Sequence, residues 1–305
     1  QTAKILWGVY LSLTLLLLFL LLLGGQSLFD SLCQALTTIS TGGFSNYNES
    51  AAYTGSRYIQ TVLLIFMFIG SLSMALYWQV LRGHWRALVF NREVMFLFFL
   101  VLAFALLSTM ALMIDRVIVA PGEAFFHSLF QAVSIVSTSG LSTYEWTTWP
   151  HLSQALLFFL FFVGGCSGST SGGVKCIRWI ILIKSIHRAC RRLIHPRGVF
   201  PVRLHDRTLS EAVLESVWQF FLIYFLTMAL VTLTLTAIGL DLMTAFSAAA
   251  SSLGNVGPTL GQVGATGSFY DFPASAKLVL SLCMLLGRLE FYSFVVLFFP
   301  EFWRK

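Results

Sequence analysis

Phe29–Ser45 reads FDSLCQALTTISTGGFS and Phe126–Ser142 reads FHSLFQAVSIVSTSGLS, with 9 of the 17 aligned positions identical. A third block, Met243–Thr259 (MTAFSAAASSLGNVGPT), has the same shape with fewer identities and aligns Gly257 with Gly43 and Gly140. Repetition of this kind marks one structural unit used three times. Each copy is a short helix-forming stretch followed by a glycine-containing turn, and each lies between two long apolar runs.

Those runs set the surroundings. The chain of 305 residues is 57% hydrophobic and 10% charged, far from the balance of a water-soluble domain. Spanning a bilayer takes about 20 apolar residues. Ile5–Leu23, Tyr58–Leu81, Met95–Ile114, Trp218–Ile238 and Leu278–Phe299 qualify, and a sixth run, Leu152–Ile186, is interrupted by glycine and serine. The first run is too long for a secretory signal, and no small-x-small cleavage site precedes Gln26.

The short helix between two spans cannot itself cross. Roughly 11 residues at 1.5 Å each reach about 16 Å, half the hydrocarbon thickness, so the chain must enter and leave on one face. The expected fold class is therefore an all-α membrane protein of repeated span–pore helix–span units, occupying residues 1–90, 91–200 and 201–305. Non-helical backbone at membrane depth survives only against protein or water, so three such turns point to a shared aqueous axis. Helices aimed at that axis by their C-terminal, partially negative ends favour a cation.

Charge and cysteine usage exclude other classes. With the start of the chain inside, fifteen of the nineteen Lys and Arg residues fall on or near the inner face. The net charge of +6 is thus a record of topology and not a nucleic-acid footprint. Both the start and the end of the chain are expected on the cytoplasmic side. Five cysteines scattered without ligand spacing argue for neither disulfides nor zinc.

The turns carry the expected chemistry: Thr41, Gly42, Gly43; Thr138, Ser139, Gly140; Asn255, Val256, Gly257. They hold no acidic residue. Selection would rest on backbone carbonyls and small hydroxyl or amide groups that replace the water of a monovalent cation. A divalent site would show carboxylates.

A second unusual stretch is Gly164, Gly165, Cys166, Ser167, Gly168, Ser169, Thr170, Ser171, Gly172 and Gly173, which has no side chain larger than threonine or cysteine. Each glycine costs a helix about 1 kcal/mol relative to alanine, so an unwound segment in mid-membrane is expected. Glycines at 164, 168 and 172 also satisfy small-xxx-small helix packing. A serine-protease turn at Gly165–Gly168 would need a histidine at that depth, and none lies mid-span. A phosphate loop fails because Val174 separates Gly173 from Lys175. No enzymatic activity is expected.

Arg288 lies within the last span, where a charge costs roughly 2.5–3.5 kcal/mol on insertion scales and demands a partner or water. It reads either as a guanidinium facing the pathway as an electrostatic barrier or as a structural ion pair between repeats.

The STGGFS and STSGLS turns, the LGNVGPTLG segment, the GGCSGSTSGGVK stretch and the ending GRLEFYSFVVLFFPEFW together resemble the Trk/Ktr/HKT superfamily, most closely the membrane subunits of bacterial Trk potassium uptake systems. The resemblance spans the whole chain. It implies potassium (K+) bound at the filter turns and moved across the bacterial cytoplasmic (inner) membrane, with no organic cofactor. It makes residues 164–173 an intramembrane gate and puts Arg288 beside it. It further implies a homodimer served by a cytosolic nucleotide-binding (RCK-type) regulatory ring, for which the nine basic residues between Lys175 and Arg207 offer a docking face or simply an ordinary inner loop. Family members carry four repeats around one pseudo-fourfold pore, and this sequence resembles the second, third and fourth. A chain truncated ahead of Gln1 is expected, or a missing quarter supplied from elsewhere. Sodium transport, or mixed sodium and potassium transport, stays open as an alternative cargo, as does a receptor or assembly subunit without permeation.

Overall fold

Uninterrupted apolar runs become long helices in the computed structural model, which describes residues 2–204, 207–261, 263–264, 267–289, 291, 296 and 299–303. The first unit opens with α1 (Thr2–Leu23), which ends at Gly24–Gly25, where Gly25 takes a left-handed φ of +84°. A short helix, α2 (Leu28–Ile39), starts at Ser27, whose hydroxyl accepts the Asp30 N–H as an N-cap. Then come α3 (Arg57–Gly70), α4 (Met74–Leu81) and the single turn α5 (Arg86–Val89).

The second unit repeats the plan. Its first helix, α6 (Arg92–Ile114), is capped by Asn91, and α7 (Pro121–Val136) begins on the proline that suits a first helical turn. They are followed by α8 (His151–Leu160) and α9 (Cys176–Ile194). In the third unit α10 (Glu211–Ile238) stops at Gly239 with φ +114°, Asp241 caps α11 (Leu242–Gly254) through the Thr244 N–H, and α12 (Ala274–Leu289) closes the set. A last short turn, α13, covers Pro300–Trp303.

Exposure follows from a lipid surround. Leu222, Leu226, Leu230 and Leu233 form an exposed stripe on α10, and Phe98, Phe99, Leu106, Leu107 and Met110 stand out from α6. Such faces suit hydrocarbon, where no water must be displaced. The short helices differ. Ala245, Ala248, Ala249 and Ala250 of α11 are wholly buried, because side chains this small let neighbouring backbones close in on every side. In each unit the short helix packs against the span before it.

One expectation changes, two are refined and one is only partly described. Tyr58–Leu81 is not one straight span: α3 and α4 meet at 96° across Ser71–Leu72–Ser73. The run looks continuous in hydropathy, but the carbonyls at the end of α3 find side-chain partners. Ile69 O accepts the Tyr77 hydroxyl (2.6 Å) and Gly70 O accepts the Thr170 hydroxyl (3.1 Å). The sixth run unwinds from residue 161 to 175, further than its glycines alone suggest. The all-helical reading has one small exception, a two-residue antiparallel ribbon that pairs Arg203 with Thr208 and Leu204 with Arg207. Leu278–Phe299 is helical as far as Leu289, and most of the remainder of that run, Glu290 included, lies outside the described residues.

Candidate functional site

Three turns of different sequence adopt one backbone conformation. Thr41, Thr138 and Asn255 have φ of 53°, 57° and 55°, and two residues later Gly43, Gly140 and Gly257 have φ of 69°, 69° and 103°. Gly42, Ser139 and Val256 between them stay out of that region. A left-handed threonine costs roughly 1–2 kcal/mol, so two of them at matched positions signal a conformation imposed by surrounding structure.

That structure is the end of each short helix. The N–H groups of Gly42 and Gly43 both point back to Thr37 O (2.8 and 3.4 Å), and those of Ser139 and Gly140 to Ser134 O (3.0 and 3.2 Å). In the third turn Val256 N–H reaches Ser251 O (2.9 Å) and Gly257 N–H reaches the Ser251 hydroxyl (3.0 Å). Thr37, Ser134 and Ser251 are the ninth residue of each aligned block. With the donors turned inward, the carbonyls of residues 41–43, 138–140 and 255–257 accept no hydrogen bond among the described residues. Nine oxygens are thus left for a ligand.

The turns also touch. A Cβ on Gly43 would overlap the Ser139 carbonyl, and one on Gly140 would strike the Val256 carbonyl and Pro258 Cδ. Glycine is required at both because the next turn's backbone occupies the space. On the side away from the loop Gly42, Gly43, Ser139, Gly140, Val256 and Gly257 line an open cavity of about 700 Å³. At its rim Tyr47 donates its hydroxyl to the Asp30 carboxylate (3.1 Å), which also accepts from Asn46 Nδ2 (2.8 Å). Hydrogen bonding to Tyr53 and to Asp30 pushes the Tyr47 phenol up to about 12, so this rim group stays neutral near neutral pH.

The hydroxyls expected in the turns serve a different purpose. Thr41 Oγ1 donates to Ser40 O (2.7 Å) or Thr170 O (2.9 Å), Thr138 Oγ1 accepts the Gly172 N–H (2.8 Å), and Asn255 Nδ2 donates to Met284 O (3.2 Å). The first two bind the loop at 161–175 against the inner side of the turns. Thr170 Oγ1 also lies 2.9 Å from Ile39 O, and a Cβ on Gly172 would sit 2.9 Å from Gly254 O and from Asn255 Cβ. One loop therefore reaches all three repeats. Its two arms run side by side, with Gly164 N–H on Val174 O (2.5 Å) and Cys176 N–H on Gly165 O (3.1 Å). It also fills the break between α3 and α4, where Cys166 N–H bonds Ser71 O (2.8 Å) and Met74 N–H bonds Gly168 O (3.1 Å).

Below the loop is a cavity of about 360 Å³ lined by residues 168–173, Lys175, Gly287 and Arg288. The Arg288 guanidinium donates to Ser40 O at 3.2 Å, linking the third unit to the first across this space. Two residues that the sequence does not single out belong here. Lys175, counted among the inner-face charges, donates to Ser171 O (2.7 Å) within the loop. Glu93, on α6, accepts the Ser167 N–H (2.7 Å). The matched hydroxyls at 37, 134 and 251 are visible once the blocks are aligned, but Glu93 carries no local signal.

Replacing Thr138 by valine keeps shape and leaves the Gly172 N–H without its acceptor. A buried donor so stranded costs about 1–3 kcal/mol, charged to the loop's seated position. Faster amide hydrogen exchange across residues 164–173 is expected in the valine variant, and unchanged exchange would remove Thr138 from loop seating.

Residues 1–305 match the TrkH family, described as cation transport protein. Trk system potassium uptake protein TrkH of Vibrio parahaemolyticus is 37% identical over 312 residues, covering all of this chain and 63% of that protein. TrkG of Escherichia coli strain K12 is 32% identical over 307 residues, covering 62% of it. The crystal structure of the potassium transporter TrkH from Vibrio parahaemolyticus superposes with a TM-score of 0.93 at 36% identity, covering 99% of this chain and 65% of that one. The chain spans a little under two thirds of the length of these relatives. A match that runs from first residue to last, with the same course in space, means that this chain belongs to the TrkH family of cation transport proteins.

Proposed function

We propose that this chain supplies three quarters of a potassium uptake pathway in a bacterial cytoplasmic membrane, with residues 1–90, 91–200 and 201–305 as three of four units. The observation that carries the reading is the threefold recurrence of turns whose carbonyls are unclaimed, two of which set their glycine against the next turn. Peptide oxygens around a common line can replace a monovalent ion's hydration shell. The relatives' names, which are those of potassium uptake proteins, support potassium as the cargo. The contacts run in one rotational sense: the turn at 43 meets 139 and the turn at 140 meets 256. Gly257 has nothing within 4 Å on the corresponding side among the described residues, and a fourth unit would stand there.

In this reading the nine turn residues bind K+, residues 164–173 are the gate and Arg288 is the barrier beside it. Reconstitution of the complete protein tests it. Potassium-dependent flux that sodium fails to match is expected, flux of both ions would favour the mixed cargo, and no cation flux at all would sink the pathway.

The regulatory reading is narrower. An RCK-type nucleotide-binding ring would dock on the inner face below α9, and the complete protein would form a homodimer with both ends of this chain cytoplasmic. Arg188 pairs with Glu211, so its charge is already spent. Lys184, Arg191 and Arg203 gather around a small pocket with Phe200 and offer cations to a partner. Changing Arg191 and Arg203 to glutamine is expected to abolish nucleotide-dependent gating while leaving basal flux intact. Retained gating would move the docking face elsewhere.

A further inference from the structure

The loop beneath the filter has to be held down by something, and the structure separates what holds it into backbone and side-chain contributions. At the outer arm, Cys166, Ser167 and Gly168 are each fixed to a different partner. Cys166 N–H is on Ser71 O, Gly168 O receives Met74 N–H, and Ser167 N–H is on the Glu93 carboxylate at 2.7 Å. The first two are backbone pairings that no substitution removes cleanly. Glu93 is a side chain arriving from another element.

Glu93 is the second residue of α6 and is 9% exposed. A carboxylate in a helix's first turn ordinarily satisfies that helix's own free N–H groups. Here that task is taken by Asn91, whose Oδ1 accepts the N–H of Glu93 (2.9 Å) and of Val94 (3.4 Å). Glu93 is thereby released to reach sideways. Burying a carboxylate is costly, and charge-assisted bonding to a fixed N–H is what offsets it. Exposure changes abruptly at this point: Cys166 is buried, while Ser167 and Gly168 are exposed, and Gly168 lines the cavity below the loop. Gly168 takes φ +75°, so the chain turns there.

We propose that Glu93 is a positioning residue for gating, which seats the outer arm of the intramembrane loop in its obstructing position by holding the Ser167 N–H. The proposal rests on the pathway reading above. Losing the carboxylate frees the arm to swing about the Gly168 turn and uncovers Cys166, while the filter turns keep their own hydrogen bonds to Thr37, Ser134 and Ser251.

The test uses the complete protein in lipid vesicles, with two readouts: unstimulated potassium flux, and the rate at which a maleimide modifies Cys166, followed by peptide mass spectrometry. Glu93→Ala should raise flux about tenfold, the factor that a hydrogen bond to a charged group commands. The potassium concentration for half-maximal flux should not move, and Cys166 should react faster. Glu93→Asp, one methylene shorter, keeps the charge at the helix start and should also loosen the loop, which preserves the test if the alanine variant does not insert. Glu93→Gln keeps an oxygen acceptor in place and should restore most of the closed behaviour. Unchanged Cys166 reactivity in the Ala and Asp variants overturns the proposal, as does a Gln variant no better than Ala. Labelling needs no ion movement, so faster labelling that Gln reverses supports the loop-seating role even if no cation crosses; the pathway reading alone would then fall.

Discussion

Replacing Gly140 by serine is expected to abolish potassium preference and to cut potassium flux by at least about tenfold. The residue sits at φ +69°, a region that costs a serine roughly 1–2 kcal/mol. The added Cβ also runs into the Val256 carbonyl, one of the nine unclaimed oxygens. To relieve the clash, the third turn must retreat and carry its oxygen with it. An ion then exchanges hydration water for an incomplete shell, and the discrimination that depends on that exchange is lost. Gly43 stands in the same relation to Ser139 O, and Gly43→Ser should behave alike. Competition of sodium with potassium in flux assays measures the effect, and retained preference in both variants would show that these turns are not the selective element.

Arg288→Ala is expected to raise potassium flux by tens of fold. The guanidinium shares the inner cavity with the loop and is held at Ser40 O, immediately below the first turn. A fixed positive charge about 8 Å from a cation's path opposes it by on the order of 2 kcal/mol at an effective dielectric near 20. Alanine removes that opposition together with the link from α12 to the first unit. Arg288→Lys retains the charge and should stay close to the unmodified protein. Unchanged or lower flux in the alanine variant, with normal insertion, would return Arg288 to the structural alternative. Lys175 lines the same cavity, with its ammonium on Ser171 O within the loop.

Much of this was readable from the sequence because repetition and hydropathy are local signals. The blocks at 29, 126 and 243 announced three half-length helices and three glycine turns, and the helices α2, α7 and α11 stand where the blocks do. The 96° bend between α3 and α4 was not readable, since Ser71–Leu72–Ser73 is compatible with a continuing helix and the cause lies about a hundred residues away in the loop that fills the gap. Glu93 was hidden for the same reason: a glutamate at a helix start ordinarily means a cap, and only the geometry around Asn91 shows it released. The threonines at 41 and 138 were expected to face an ion; their left-handed backbone turns their hydroxyls toward the loop instead.

The way each turn disposes of its amide hydrogens reaches beyond cations. Because Thr37, Ser134 and Ser251 absorb them, the turn backbone among the described residues offers a chloride ion oxygen lone pairs and no N–H to bind. Rejection of anions then needs no acidic side chain, and since it acts at touching distance it persists in brine that would mask any charged ring.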